Sequence, residues 1–190
     1  MSETTSRPPT EPPPRGHTRA KSLVLVNTGE GKGKSTAAFG TMIRALARGW
    51  KVAVVQFLKS GDWHVGEEKV ARQLGVDWFA IGDGFTWDSE DMAESEAIAR
   101  EAWRAAAGLI RAGNHQLVLL DEVTYPMIWG WIPTDEVVEV IAGRPPAVNV
   151  ICTGRDAPTE LIELADTVTE MRKVKHAYDR GIMARRGIDY

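Results

Sequence analysis

A ten-residue glycine-rich segment, Asn27-Thr28-Gly29-Glu30-Gly31-Lys32-Gly33-Lys34-Ser35-Thr36, stands between an apolar β-type run at 23–27 and a helical pattern that starts at Gly33. Glycines let successive backbone N–H groups turn inward around an anion, and the following helix adds the positive end of its dipole. Lys34 then brings an ammonium to the bridging or terminal phosphates, and Ser35 offers a hydroxyl to Mg2+. A loop of this kind works only with a strand before it and a helix after it, so it commits the chain to an α/β architecture. The spacing is unusual in one respect. The first glycine of the common phosphate-loop pattern falls on Thr28, and glycines occupy 29 and 31 instead.

Beyond the loop, short β-rich runs alternate with longer helical ones, the pattern of a parallel sheet. Strands are expected at 23–27, 52–56, 77–81, 117–121, 148–152 and 167–171, and their near-continuous apolar character predicts burial on both faces. Helices are expected at 33–47, 67–73, 89–112, 134–142 and 158–164. Asp88 is placed to cap the third, and Gly113-Asn114 to end it.

Residues 1–22 hold five of the ten prolines and carry a net charge of +2, which leaves −5 on the remainder. Proline fixes φ and removes a donor, so the segment reads as a mobile tail before a single domain at 23–190, with a lid that orders over a bound ligand as the alternative. The apolar runs are too short to span a bilayer, and the start of the chain lacks a secretory apolar region. A single cysteine, Cys152, leaves no internal disulfide and suits a reducing cytoplasm. With a formal charge of −3 there is no basic field to attract nucleic acid.

The fourth strand, Leu117-Val118-Leu119-Leu120-Asp121, ends in two carboxylates, Asp121 and Glu122. Ligands of open parallel sheets gather at the carboxyl ends of the strands, where either carboxylate can hold Mg2+ directly or through water. Together with the glycine loop they predict a Mg·nucleoside triphosphate site. The remaining strand ends add Gln56 and Lys59, Gly82 to Trp87, and Thr153-Gly154-Arg155 on the same edge. Arg155 suits phosphate charge through paired N–H donors, or a surface salt bridge. Phe85 and Trp87, two residues apart, either pack on the core or form an apolar wall for a large planar ligand. Trp129 and Trp131 either pack in the core, the expected role, or line a ligand pocket or a subunit contact, and Cys152 is expected to act as a small buried hydrophobe.

The combination of Thr28 to Ser35, Gly84-Phe85-Thr86-Trp87, Asp121-Glu122-Val123-Thr124-Tyr125, Thr153-Gly154-Arg155 and the ending from Val174 to Asp179 and Gly187 to Tyr190 resembles the P-loop corrinoid adenosyltransferases of cobalamin biosynthesis and salvage. The resemblance covers 23–190. It implies a three-layer P-loop NTPase-like (RecA-like) α/β fold with a mostly parallel sheet of about six strands. It also implies transfer of the 5′-deoxyadenosyl group from ATP to cobalt(I) of a corrinoid, with release of triphosphate. ATP would lie in the loop in an orientation that exposes C5′ of its ribose, held by Thr28, Gly29, Glu30, Gly31, Lys32, Gly33, Lys34, Ser35 and Thr36, with Arg44, Arg155 and His176 as further contacts. Ser35 and Glu122, with Asp121 as the other candidate, would hold Mg2+ (or Mn2+).

Lys34, Glu122 and Arg155 would then serve the transfer. Phe85 and Trp87, pressed against the lower corrin face, would exclude axial ligands and ease reduction of cobalt(II). The resemblance further implies a homodimer and an electron donor such as a reduced flavoprotein. In the family an N-terminal helix covers the site, and the proline-rich tail departs from that. Two rival functions share the same motifs. An ordinary P-loop Mg-ATPase would place Asp121 on the metal and use Glu122 to activate water, and an ATP-gated corrinoid carrier would bind without turnover.

Overall fold

The computed structural model describes residues 16, 18–58, 66–82 and 92–189. Six strands alternate with helices in the order β1 (Val24–Thr28), α1 (Lys34–Ala47), β2 (Val52–Gln56), α2 (Gly66–Gln73), β3 (Asp77–Ala80), α3 (Met92–Ala112), β4 (Leu117–Asp121), α4 (Thr124–Ile128), α5 (Thr134–Ala142), β5 (Asn149–Thr153), α6 (Thr159–Leu164) and β6 (Thr167–Glu170). A 3₁₀ turn follows at Tyr178–Arg180. The strands form one sheet in the order β3-β2-β4-β5-β1-β6. Every pairing in it is parallel.

Two cores sandwich the sheet. Ala38, Phe39, Met42 and Ala45 of α1 and Ala71 of α2 pack on Val52, Val54, Trp78, Leu117, Leu119 and Ile151. The opposite face carries Ala102, Trp103, Ala106 and Ile110 of α3, Val137, Val140 and Ile141 of α5 and Leu161 of α6 against Val24, Val26, Val55, Val118, Leu120, Val150 and Cys152. The result is the expected three-layer α/β arrangement. Cys152 is fully buried, and desolvation pushes its thiol up to about 12.

The strands differ from expectation in detail for visible reasons. β1 and β5 each begin and end one residue later. The Leu23 N–H is taken by the Asn149 side chain at 2.8 Å rather than by the ladder. At the far end, Met171 N–H to Thr28 O and Gly154 N–H to Asn27 O extend the pairing. Burial on both faces holds for β2 and β4, whose residues are buried throughout. It fails for β6, exposed at all four positions. That strand lies at the sheet edge, pairs only with β1, and is built of Thr-Val-Thr-Glu.

Helix α4 was not foreseen because Pro126 interrupts its five residues. Its position in the first turn is harmless, since N–H groups there have no intrahelical acceptor anyway. The described part of α3 starts at Met92, and the Asp88 cap with residues 89–91 lies outside the described residues. Gly113, in a left-handed conformation (φ 67°), follows the end of α3 as expected. Among the described residues no helix is long and apolar enough to cross a membrane.

Candidate active site

Parallel register lines up one polar row across the sheet. Asn27 pairs with Thr153, and Gln56 with Asp121. The Leu120–Cys152 pair sets Asp121 beside Thr153 in the same row. Two residues earlier the same strands present Leu25, Ile151, Leu119 and Val54 to α1. Side chains alternate faces, so the polar row continues that α1-side face up to the carboxyl edge.

Inside this row the hydrogen bonds form a chain. Trp78 Nε1–H donates to Gln56 Oε1 (3.2 Å) and Gln56 Nε2–H to Asp121 Oδ2 (2.9 Å). The Thr153 hydroxyl donates to Asp121 Oδ1 (2.8 Å) and accepts the Glu122 N–H (2.9 Å). Asp121 is 0% exposed. Both of its oxygens face inward on protein donors, whereas Glu122, one residue further, reaches the edge of the sheet. Glu122, one residue past β4, has φ 64°, and Asp156, three residues past β5, has φ 49°. Left-handed backbone is costly for such residues and collects at functional sites.

Gly154 stands between these two bends. A Cβ there would come within 1.9 Å of Thr124 Oγ1, the hydroxyl that donates to Arg155 O at 2.6 Å. The fit fixes where the Arg155 side chain begins. Thr28, at the position where a glycine is usual, is buried, and its Oγ1 accepts the Ala157 N–H at 3.2 Å. It therefore ties the glycine loop to the segment that carries Arg155 rather than facing the loop interior.

The loop itself is clamped by the chain beyond β6. A Cβ on Gly29 or Gly31 would lie 2.7 Å from Met171 O, and the Gly31 N–H donates to that same oxygen. Gly33, at φ 110°, leads into α1 with no side-chain cap. Lys34 Nζ–H groups donate to the carbonyls of Gly29 (2.7 Å) and Gly31 (2.8 Å). Burial, then the nearby Arg155 cation, hold its ammonium pKa below the ordinary value against the opposing pull of Glu30, Glu122 and Asp156. The same four charges act on Tyr125, whose phenol burial pushes upward. Lys34 and Tyr125 thus lie within electrostatic reach of the same four groups, Glu30, Glu122, Arg155 and Asp156. Among these Arg155 Nη1 lies 3.5 Å from Glu30 Oε2. Ser35 and Thr36 follow Lys34 in the first turn of α1.

Other expected contacts lie further out. Lys32 is paired with Asp189 in the C-terminal segment. His176 Nδ1 accepts the Tyr178 N–H at 3.0 Å, and the ring lines a cavity of about 300 Å3 with Lys32, Arg172, Lys175 and Asp189. Arg44 is not brought to the loop. It sits in the last turn of α1, ten residues and so about 15 Å along the axis from Lys34, in a groove with Leu23, Trp50 and Asn149. Phe85, Trp87 and Lys59 lie outside the described residues.

The two tryptophans after β4 divide their roles. Trp131 is 8% exposed and packs as expected, while Trp129 is 39% exposed and bridges it to Tyr125, with ring centroids 4.8 and 5.5 Å apart. Sequence reasoning passed over Asn27, Tyr125, Asp156 and Asp189 as individual contributors. For Asn27 the signal was available, since a polar residue ends the apolar alternation of β1.

A loop that takes a polyanion, facing a carboxylate and an arginine from neighbouring strands, fits many nucleotide enzymes. Comparison with known proteins narrows it. A profile of the ATP:corrinoid adenosyltransferase BtuR/CobO/CobP family matches residues 20–190. The chain belongs to this family. It is 45% identical over 170 residues to the corrinoid adenosyltransferase of Escherichia coli (strain K12), covering 90% of this chain and 86% of that one. The corrinoid adenosyltransferase CobA of Salmonella typhimurium is 40% identical over the same shares. That of Pseudomonas aeruginosa is 43% identical over 90% of this chain and 84% of its own. The chain is accordingly an enzyme, a corrinoid adenosyltransferase that transfers adenosyl from ATP to the cobalt of a corrinoid.

Proposed function

We propose that ATP binds with its triphosphate in the 28–36 loop and that cobalt(I) of the corrinoid attacks ribose C5′ in line. The C5′–O bond breaks, and its electron pair leaves with tripolyphosphate. No proton moves in that step, so no general base is needed. The work of the chain is alignment and charge stabilisation. In this reading Lys34 and the loop amides hold the triphosphate, and Arg155 meets the charge that grows on the leaving oxygen. His176 and the surrounding basic segment steady its outer end.

The donor set suits Mg2+, which takes few protein ligands and completes its shell with phosphate oxygens and water. Among the described residues no group of three or more His, Cys, Asp or Glu side chains converges as a metal site, which fits a cation held chiefly by substrate. Ser35 and Glu122 would hold it, because both Asp121 oxygens already accept buried hydrogen bonds. Mg2+, or Mn2+ in its place, would supply additional positive charge to the leaving group.

Cobalt(I) must first be made by one-electron reduction of cobalt(II), for which a reduced flavoprotein is the proposed donor. Phe85 and Trp87 are proposed to keep axial ligands off the lower corrin face. The protein is proposed to work as a cytoplasmic homodimer whose catalytic domain is 23–190, preceded by the proline-rich tail.

The observation that carries this reading is the meeting of loop and strand ends at the carboxyl edge of the sheet, where Arg155 pairs with Glu30 of the loop and Arg155 and Glu122 both act on the charge of Lys34. The test incubates the protein with ATP and chemically reduced cobalamin. The corrin absorbance should change to that of the adenosylated product while phosphorus NMR records tripolyphosphate. ADP with orthophosphate and an unchanged corrin spectrum would return the chain to the ordinary ATPases.

A further inference from the structure

Three cations of the loop and of the facing strand end already have acceptors inside the chain. Lys34 is bonded to two loop carbonyls, Lys32 is paired with Asp189, and Arg155 lies 3.5 Å from Glu30. These acceptors differ in kind. The carbonyls are uncharged. Asp189 is held from outside the loop, its second oxygen taken by the Arg185 N–H at 2.8 Å.

Glu30 belongs to the anion-binding loop itself, set between Gly29 and Gly31. Its side chain is 59% exposed and that of Arg155 47% exposed, so their contact is screened and easily exchanged. A full negative charge in that position opposes every phosphate oxygen the loop receives. As a source of stability the pair is weak, and as a loop residue Glu30 works against substrate affinity.

The chemistry of the leaving group gives this opposition a use. When the C5′–O bond breaks, the departing triphosphate takes the electron pair and carries one more negative charge than the ester it came from. Cations that stabilise that charge bind the product more tightly than the substrate, which moves the slow step toward release.

We propose that Glu30 is a displaceable counter-anion for Arg155 that limits how tightly the loop holds a polyphosphate and so sets the departure rate of tripolyphosphate. Incoming ATP displaces the Glu30 carboxylate from Arg155, and the carboxylate recaptures the guanidinium as the product leaves. The proposal rests on the tripolyphosphate-releasing reaction of the preceding subsection.

Binding and dissociation of sodium tripolyphosphate are measured by calorimetry and rapid mixing on the full chain. The proteins are wild type, Glu30→Gln, Arg155→Met, the double variant, and Glu101→Gln as a charge-removal control on the exposed side of α3. Glu30→Gln should bind tripolyphosphate about 5- to 20-fold more tightly and release it correspondingly more slowly, with the gain shrinking at high salt. Multiple-turnover adenosylation should slow as product release becomes limiting. In the Arg155→Met background the gain should fall to within about twofold, the signature of a direct coupling. Glu101→Gln should match wild type.

Wild-type binding of tripolyphosphate with unchanged or weaker affinity in Glu30→Gln would overturn the proposal and leave the reaction intact. An equal gain with and without Arg155 would overturn it too, by reducing Glu30 to a general surface charge. Failure of both wild type and Glu30→Gln to bind tripolyphosphate would remove the underlying reaction and the proposal together.

Discussion

The Thr153 hydroxyl donates to Asp121 Oδ1 at 2.8 Å within a row where neither residue reaches solvent. The same hydroxyl oxygen accepts the N–H of Glu122, so one side chain fixes the buried carboxylate and the left-handed bend that follows it. Asp121 and Glu122, adjacent in sequence and alike in chemistry, are thereby separated into a fully buried carboxylate and one placed past the end of the strand.

Thr153→Val keeps the shape and removes the hydroxyl. It leaves Asp121 Oδ1 and the Glu122 N–H without this partner, a loss of about 1–3 kcal/mol in a buried site. The expected phenotype is a lower midpoint in urea and a raised Mg2+ requirement for turnover. Thr153→Ser should restore both. Equal metal titrations for Val and Ser would detach the network from Glu122.

Lys34→Met should abolish adenosyl transfer while leaving the sheet folded. Because burial and Arg155 lower the pKa of Lys34 in the native state, its cation is less favourable there than in the unfolded chain. Below that lowered pKa the charge opposes folding. The opposition fades as pH rises through the native value toward the unfolded one at about 10.4. Wild type should therefore gain stability relative to Lys34→Met between neutral pH and about pH 10.5, as read from paired denaturation curves. A constant difference across that range would contradict the assignment.

At the opposite edge of the sheet, Asp77 Oδ2 contacts His115 Nε2 at 2.8 Å and Lys51 Nζ at 3.6 Å. The His115 hydrogen bond foremost, with the Lys51 charge adding to it, holds the Asp77 carboxyl below the usual range against the opposing desolvation. A depressed carboxylate contributes stability above its unfolded pKa of about 3.9 and loses it as pH falls through the native value. Asp77→Asn should cost roughly 0.5–1 kcal/mol at pH 7, since the site is half-exposed and screened. The cost should vanish in strong acid. A pH-independent difference in urea midpoints would count against the linkage.

Phe85→Ala and Trp87→Ala separate reduction from transfer. If the rings shield the lower corrin face, activity from cobalt(II) with a reductant should collapse, and activity from pre-reduced cobalt(I) should fall much less. ATP affinity and melting temperature should stay near wild type. Equal losses in both assays with a melting temperature depressed by core truncation, about 3–5 kcal/mol of stability, would make them packing residues.

The fold was legible because Val and Leu dominate β1, β2 and β4, and because Gly33-Lys34-Ser35 marks where a strand must give way to a helix. β6 was legible as a strand but not as an exposed one, since edge position depends on which partner β1 selects. Pro126 concealed α4 by suggesting a break at a position where a helix tolerates it. In the site, the loop and the Asp121-Glu122 pair stood out in one dimension. Their division of labour did not, because it depends on Gln56 and Thr153, about 65 and 32 residues away in the chain. Arg44, a contact implied only by the resemblance, sits about 15 Å along α1 from Lys34, a separation set by the helical rise.

The clamp of Met171 on Gly29 and Gly31, and of Asp189 on Lys32, has a consequence for the order in which the protein comes into being. The loop emerges early in synthesis, but the backbone that shapes it is about 140 residues behind. A nascent chain can pair β2 with β4, β4 with β5 and β5 with β1 before that point, yet its glycine loop lacks the wall it closes against. Nucleotide affinity is therefore a late acquisition in biogenesis. ATP cannot engage the growing polypeptide until residues near 171 have left the ribosome and taken their place beside β1.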